Sequence, residues 1–204
     1  DSASFLFIYD EIFKKEIYKF KSSTDKPFII DAGANIGLSA IYLKKLFPKA
    51  SIVAFEPDPA VFTILKHNIE SFNFENVNLV NKALWNEETQ LNFFSEGADG
   101  GRMASAEDAS NIIKIETTKL SYYLKDTVVD FLKIDIEGAE FTVLQEAKPF
   151  LKNVKNIFVE FHSFTNRQQN LAALISILEE AGFRIIVQHI GVYSTSPFHK
   201  IETY

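Results

Sequence analysis

Apolar residues recur along the chain with two different spacings, which predict an alternation of strands and helices. Five short apolar runs have the length of buried β-strands, at residues 28–30, 52–55, 77–80, 128–134 and 157–161. Four other segments carry apolar residues at helical spacing, at residues 37–47, 59–69, 139–147 and 171–178. Because the strand runs are continuous rather than alternating, we expect both faces of their sheet to be buried.

This order of elements is typical of an α/β fold with an open, mostly parallel sheet and helices on both faces. Local signals mark the ends of two helices. Asp58 followed by Pro59 predicts a capped helix start, and Gly182 follows the last helical segment. Residues 91–94 and 112–115 interrupt the alternation and predict an inserted β-hairpin.

The length of 204 residues fits one domain. We expect residues 1–27 to contain an N-terminal helix, over residues 5–20, that packs on a single domain of residues 28–204. The glycine-containing stretch of residues 97–110 is long for a loop in a compact domain, and such loops are often functional. We predict that it acts as a lid or recognises the substrate, with Arg102 either solvated or in contact with an anionic group.

Composition narrows the functional classes. Hydrophobic residues make up 47% of the chain and charged residues 24%, which excludes disorder as the main state. The chain has no cysteine, so disulfides, thiolate metal sites and a cysteine nucleophile are excluded, and we expect a cytoplasmic protein. The net charge of −6 speaks against a nucleic-acid partner, and no apolar run has the length of a membrane span. The pattern does not indicate an oligomeric state.

The motif D-A-G-A-N-I-G follows the first predicted strand directly and predicts a ligand-binding turn. Gly33 allows the chain to leave the strand and approach a ligand closely, and Gly37 allows close packing of the helix start. Asp31 places a negative charge at the carboxyl end of the strand, where open α/β sheets bind ligands. Glu56 ends the second strand, roughly 20 residues further on, where an acid can accept hydrogen bonds from a ribose.

The same motif discriminates between nucleoside cofactors. A dinucleotide fingerprint has a second glycine where this chain has Asn35, which argues against NAD and FAD. Asp31, two residues before Gly33, suits a cofactor that carries an ammonium and a sulfonium group. We therefore predict S-adenosylmethionine, with a nicotinamide-dependent oxidoreductase as the less favoured alternative.

A second acidic group follows the fourth predicted strand, in the motif K-I-D-I-E-G-A-E. Asp135 and Glu137 are expected at the same sheet edge as the glycine turn, where a cationic cofactor would relieve their repulsion. Glu137 and Glu140 have the alternative role of acids that favour a helix start. Glu160 is an acid inside the next apolar run, and His162 follows directly after that run, where a histidine can exchange a proton near neutral pH.

These residues supply the candidates for catalysis. We expect His162 first, then Glu137 and Asp135, to act as the base that takes a proton from the substrate. Together with Glu160 they also have the chemistry of a hard-cation site. Because nothing in their spacing demands a metal, we predict that no metal is bound.

With both motifs, the F-E-P sequence that ends the second strand and the later V-E pair at residues 159–160, the chain resembles the FkbM-type methyltransferases. These are S-adenosylmethionine-dependent enzymes of the Rossmann-like class. The resemblance implies a seven-stranded sheet whose last strand is antiparallel, with its final turn after Gln188, near Gly191 and Val192.

The resemblance also implies functional roles. Gly33 and Asn35 would line the methionine part of the cofactor, Glu56 would hold the ribose, and Asp135 would close the pocket near the methyl donor. The cofactor-binding residues indicated by the motifs and the resemblance together are Asp31, Gly33, Asn35, Gly37, Glu56, Pro57, Lys82, Ala83 and Asp135.

The function predicted from the sequence is an O-methyltransferase that acts on a hydroxyl of a sugar-like or natural-product small molecule. Members of the family typically methylate such hydroxyls, although the family does not settle which residue acts as the base. A protein that binds the cofactor without catalysis is a second alternative. A nucleic-acid methyltransferase is disfavoured by the acidic net charge.

Overall fold

A computed structural model of the protein describes residues 2–95, 101–104, 111–164 and 168–188. Its helices are α1 (Ser2–Tyr9), α2 (Leu38–Leu46), α3 (Pro59–Ser71), α4 (Ser121–Leu124), α5 (Glu140–Ala147) and α6 (Leu171–Glu180). A π-helical turn, Asp10–Lys14, continues α1, and a 3-10 turn, Lys148–Asn153, continues α5. Its strands are β1 (Phe28–Ala32), β2 (Ser51–Phe55), β3 (Val77–Val80), β4 (Ala83–Trp85), β5 (Gln90–Phe94), β6 (Arg102–Met103), β7 (Ile112–Lys119), β8 (Phe131–Ile134) and β9 (Ile157–Val159).

The helix ends follow the local signals of the sequence. The Asp58 carboxylate caps α3 by accepting hydrogen bonds from the backbone N–H groups of Ala60 (2.8 Å) and Val61 (3.3 Å), with Pro59 as the first helical residue. After α6, Gly182 adopts the left-handed conformation, with φ of +91°, that commonly ends a helix. The four helices predicted from apolar spacing are confirmed as α2, α3, α5 and α6.

The main sheet has five parallel strands in the order β3-β2-β1-β8-β9. The chain moves outward from β1 to β3 on one side and then returns to place β8 and β9 on the other side. Strand order therefore reverses between β1 and β8, and ligands of open α/β sheets bind at the carboxyl ends of the strands beside such a reversal. The predicted α/β architecture is confirmed.

The predicted count of seven strands in one sheet is wrong. After β3 the chain turns away, and β4 joins a second sheet in the order β4-β7-β5-β6 instead of extending the first. The inserted hairpin is confirmed there as the antiparallel pair β5 and β7. Residues 183–188 form no strand, and the rest of the predicted final turn, including Gly191, lies outside the described residues.

The N-terminal helix is shorter than predicted, because helical structure ends at Lys14. Side chains within it and beyond it pack on the domain: Ile12 and Tyr18 are buried in the same apolar cluster as residues of α2, and the Phe13 ring makes an edge contact with Tyr42. In the part of the chain that the structure describes, no helix is long and apolar enough to cross a membrane.

A buried ion pair joins β1 to β8 at the centre of the main sheet. Asp31 and Lys133 are register partners, 0% and 2% exposed, and the Lys133 Nζ lies 3.6 Å from the Asp31 Oδ1. The Ser39 hydroxyl donates a hydrogen bond to the other carboxylate oxygen of Asp31. The Lys133 Nζ also donates to the backbone carbonyl of Gly33 at 2.7 Å, so it ties the turn after β1 to β8.

We predict that Lys133→Met lowers the free energy of unfolding by about 3–5 kcal/mol, because it leaves the buried Asp31 carboxylate without a counter-charge. In the double variant, Asp31→Asn is expected to restore part of the lost free energy of unfolding. Denaturant titration measures this quantity. Lys49→Met is the matched control, since it breaks an exposed pair with Asp25 and is expected to change the value by less than about 1 kcal/mol. Equal losses from the two lysine variants would contradict this account.

Candidate active site

A cavity of about 270 Å³ lies at the carboxyl edge of the main sheet, beside the reversal of strand order. Its walls come from the ends of β1, β2 and β8, from β4 in the second sheet and from the N-terminal segment. The sequence-predicted residues that line it are Gly33, Asn35, Glu56, Pro57, Lys82, Ala83, Asp135, Glu137 and Glu160. Two predicted cofactor residues, Asp31 and Gly37, and the predicted base His162 are not among the lining residues.

Each of the two glycines in the turn after β1 is required for a different structural reason. Gly33 has φ of +82°, and a Cβ atom there would lie 1.8 Å from the backbone carbonyl oxygen of Asp135. Gly37 has φ of +97°, and a Cβ atom there would lie 2.8 Å from the Leu65 side chain of α3. The close approach allowed by Gly33 is therefore to the end of β8, while Gly37 allows α2 to pack on α3.

Asp31 lies beneath the cavity rather than in its wall. Its carboxylate is fully buried and faces Lys133, which itself lines the cavity. Burial disfavours the charge of Lys133, but the Asp135 and Asp31 carboxylates outweigh it and raise its pKa. Asp31 is therefore connected to the cavity through Lys133, and its predicted contact with a cofactor stays a prediction. Lys133 is a lining residue that the sequence analysis missed. Its signal was a lysine inside an otherwise apolar strand.

Glu56 is held rigidly at the cavity wall. It is 7% exposed, and its two carboxylate oxygens accept hydrogen bonds from the backbone N–H groups of Asn35 (3.0 Å) and Asp58 (2.9 Å). The Asn81 amide donates to the Glu56 carbonyl at 2.8 Å. Burial raises the pKa of Glu56 to about 7, against the effect of the two backbone hydrogen bonds. Each oxygen keeps accepting capacity for hydroxyl groups of a ligand in the cavity.

Next to Glu56, the wall becomes more apolar. Ala83, Leu84 and Phe93 line the cavity there, together with Lys82. The Lys82 Nζ forms an ion pair with Glu116 at 3.0 Å, which directs its charge to a protein partner. This part of the cavity suits a flat, mostly uncharged ring system.

Asp135 and Glu137 line the cavity wall at the end of β8, and His162 lies against them. The His162 Nε2 lies 3.4 Å from the Glu137 Oε2 and 3.9 Å from the Asp135 Oδ1, while its Nδ1 lies 3.0 Å from the Glu140 Oε1. Glu140 is buried and accepts a further hydrogen bond from the Gly138 backbone N–H at 2.9 Å. The structure therefore brings together the three residues predicted for catalysis.

Their protonation states change the ranking of the candidate bases. Burial opposes the charge of His162, but its hydrogen bond to Glu140 and the Glu137 carboxylate outweigh burial and raise its pKa to about 9. A pKa of about 9 favours the protonated form of His162 at neutral pH, which makes it a weaker candidate for the base than its first place in the sequence-based ranking. Burial raises the pKa of Glu137 to about 7, which makes this residue a proton acceptor near neutral pH.

Within the described ranges, one set of side chains has a spacing that a metal ion could bridge. One ligand atom from each of Asp135, Glu137 and His162 lies within 4.8 Å of the others. These carboxylates would attract either a metal ion or the proton of an imidazolium at His162, and the two compete for the same imidazole nitrogen. That no metal is bound stays a prediction.

The long insertion contributes to the cavity through Gly101, which lines it next to Phe93. The Arg102 guanidinium lies over the Phe94 ring at 5.0 Å. The other parts of the predicted lid, residues 97–100 and 105–110, lie outside the described residues.

The sequence of this chain is similar to a known protein family and to several known proteins. Residues 31–185 match the methyltransferase FkbM domain family. Methyltransferase 1 of Beauveria bassiana is 30% identical over 207 residues, and methyltransferase sdnD of Sordaria araneosa is 30% identical over 215 residues. These alignments cover 89% and 88% of this chain and 82% of each relative. The 2-O-methyltransferase NoeI of Sinorhizobium fredii is 24% identical over 186 residues, covering 79% of this chain and 74% of the relative.

The fold is also similar to that of solved structures. The crystal structure of methyltransferase FkbM from Methylobacillus flagellatus matches with a TM-score of 0.58 and 18% identity, over 82% of this chain. This chain spans only 40% of that longer protein. Together with the match over residues 31–185, these findings show that the chain belongs to the methyltransferase FkbM family and is a methyltransferase.

Proposed function

We propose that the protein transfers a methyl group from S-adenosylmethionine to a hydroxyl of a sugar-like or natural-product small molecule. The observation that carries the proposal is one cavity with the buried Glu56 in one part of its wall and the Asp135–Glu137 pair in another. Two relatives support the acceptor class by what their names state: NoeI is a 2-O-methyltransferase, and FkbM of Streptomyces tacrolimicus, 21% identical over 233 residues, is a 31-O-demethyl-FK506 methyltransferase.

The donor set fits this cofactor. Glu56 offers carboxylate oxygens for the ribose hydroxyls, and Lys82 and Ala83 lie in the part of the wall that suits adenine. Gly33 and Asn35 would line the methionine part, near Asp135. When bound, S-adenosylmethionine supplies an electrophilic methyl group on a positively charged sulfur, and the acidic wall favours that charge. The nicotinamide-dependent alternative is set aside by the membership in a methyltransferase family.

Glu137 is our candidate for the base that takes the proton from the acceptor hydroxyl. It lines the cavity, whereas His162 contacts it from outside the lining. The charged groups that face Glu137 are His162, Asp135, Glu140 and Glu160, of which only His162 is cationic. His162 would act as a positioning residue that holds Glu137 and partly neutralises its carboxylate neighbours.

Glu56→Gln is expected to weaken the binding of S-adenosylhomocysteine roughly 10- to 100-fold, because an amide places a donor against the backbone N–H groups of Asn35 or Asp58. Calorimetry at pH 8 measures this with wild-type Glu56 ionised, since its pKa is about 7. Glu88→Gln, an exposed change outside the cavity, is the control. An unchanged affinity of Glu56→Gln for S-adenosylhomocysteine would refute the assignment of Glu56 as the residue that binds the ribose.

The pH profile tests the base. With an acceptor that supports turnover, S-adenosylmethionine is kept saturating so that the titration of Glu56 near pH 7 does not limit cofactor binding. Under these conditions kcat/KM for the acceptor is expected to fall about tenfold per pH unit below pH 7, where Glu137 gains a proton, and to be level between about pH 8 and 9. Glu137→Gln should lower kcat by about 10²–10⁴-fold and remove the dependence near pH 7, with the affinity for S-adenosylhomocysteine retained. A variant that keeps the wild-type profile would place the base elsewhere.

Metal removal gives a separate test. Dialysis against EDTA is expected to leave methyl transfer unchanged, because His162 already supplies the cationic partner of Asp135 and Glu137. The measurement is the rate before and after dialysis, and after addition of Mg²⁺. A loss that Mg²⁺ restores would show that these side chains bind a metal instead.

A further inference from the structure

The N-terminal segment forms part of the cavity wall. Its lining side chains are Phe7, Ile8, Glu11, Ile12, Ile17 and Tyr18. All six precede residue 31, so they lie outside the region that matches the family. Five of the six are apolar or aromatic, and Glu11, the charged one, forms an ion pair with Lys15. This wall differs in chemistry from the acidic edge of the sheet that it faces.

Two contacts connect this wall, through Lys133, to the Asp135 side of the cavity. The Tyr18 ring centroid lies 5.6 Å from the Lys133 Nζ, and the same Nζ lies 3.2 Å from the Asp135 Oδ2. Burial raises the pKa of the Tyr18 hydroxyl, and its charged neighbours include Asp135 and Glu160. An acceptor whose hydroxyl reaches Glu137 would occupy the cavity that this wall also lines.

One end of this wall is buried in the protein and the other end is open to solvent. Ile12 and Tyr18 are buried, and the Tyr18 ring makes an edge contact with Phe158. One helical turn earlier, Phe7 lines the cavity while it remains 50% exposed. Apolar surface thus continues from the inside of the cavity to the surface of the protein, and exposed apolar surface of this kind marks ligand-binding grooves.

We propose that the lining side chains of residues 7–18 bind the acceptor of the methyl transfer, and that this acceptor carries an alkyl or aromatic body beside its hydroxyl group. The inference rests on the proposed function and narrows it, because a free sugar offers no such body. An apolar acceptor body would remove water from Phe7 and Ile8, whereas a polar one would leave both side chains without a matching partner.

A pair of glucosides that share a head group tests the proposal. In the presence of S-adenosylhomocysteine, we expect octyl β-D-glucopyranoside below its micellar concentration to bind at least tenfold more tightly than methyl β-D-glucopyranoside. Phe7→Ala is expected to weaken the binding of the octyl glucoside about tenfold and to leave that of S-adenosylhomocysteine unchanged. Leu6→Ala is the matched control, since Leu6 belongs to the same helix, is 64% exposed and does not line the cavity.

Calorimetry and ligand-observed NMR would measure these affinities, with circular dichroism to check that the variants keep their helical content. Ile8→Ala, which also removes a lining side chain, is the second variant in case Phe7→Ala fails to fold. Equal affinity for the two glucosides would overturn the proposal, and so would an equal loss in Leu6→Ala, which would indicate adsorption to the helix surface. Failure of the wild-type protein to bind S-adenosylhomocysteine would instead overturn the proposed function.

Discussion

The buried ammonium group of Lys133 is the interaction on which the site depends. It lies between the carboxylates of Asp31 and Asp135 and donates a hydrogen bond to the carbonyl of Gly33. A charge taken out of water is tolerated only with such partners, so the position of Lys133 determines the relative positions of the turn after β1 and the end of β8. Since Gly33 also lies directly against the Asp135 backbone, the floor of the cavity has little freedom to move.

A second group of interacting charges lies at the end of β8. Asp135, Glu137, Glu140 and Glu160 lie near one another, and the imidazolium of His162 is their shared cationic neighbour. Burial favours the neutral form of Glu137 and His162 favours its ionised form, and the outcome is a carboxyl group that titrates near neutral pH. The acidic edge thus combines two chemical properties, an affinity for positive charge and a proton acceptor.

The parts of the structure that depend on local sequence were predictable. Continuous apolar runs indicated the parallel strands, and Asp58 with Pro59 indicated the start of α3, because strand burial and helix capping act within a few residues. The sheet edge that carries the cavity was also indicated, since it follows from the ends of successive strands. The seven-strand count failed because the choice of sheet by β4 depends on its distant partner β7.

The protonation of His162 and the role of Lys133 were not predictable for the same reason. The pKa of His162 depends on Glu140, 22 residues away in the sequence, and Lys133 depends on Asp31 across the sheet. The contribution of Phe7 and Tyr18 to the cavity arises only when the N-terminal segment packs on the domain. These features are set by contacts between distant parts of the chain, which apolar spacing does not encode.

A crystal structure of the complex with S-adenosylhomocysteine tests the central claim most directly. The account predicts ribose hydroxyls within hydrogen-bond distance of the Glu56 carboxylate and the sulfur atom turned toward Asp135 and Glu137. A ligand bound outside this cavity, or one whose ribose lies away from Glu56, would contradict it.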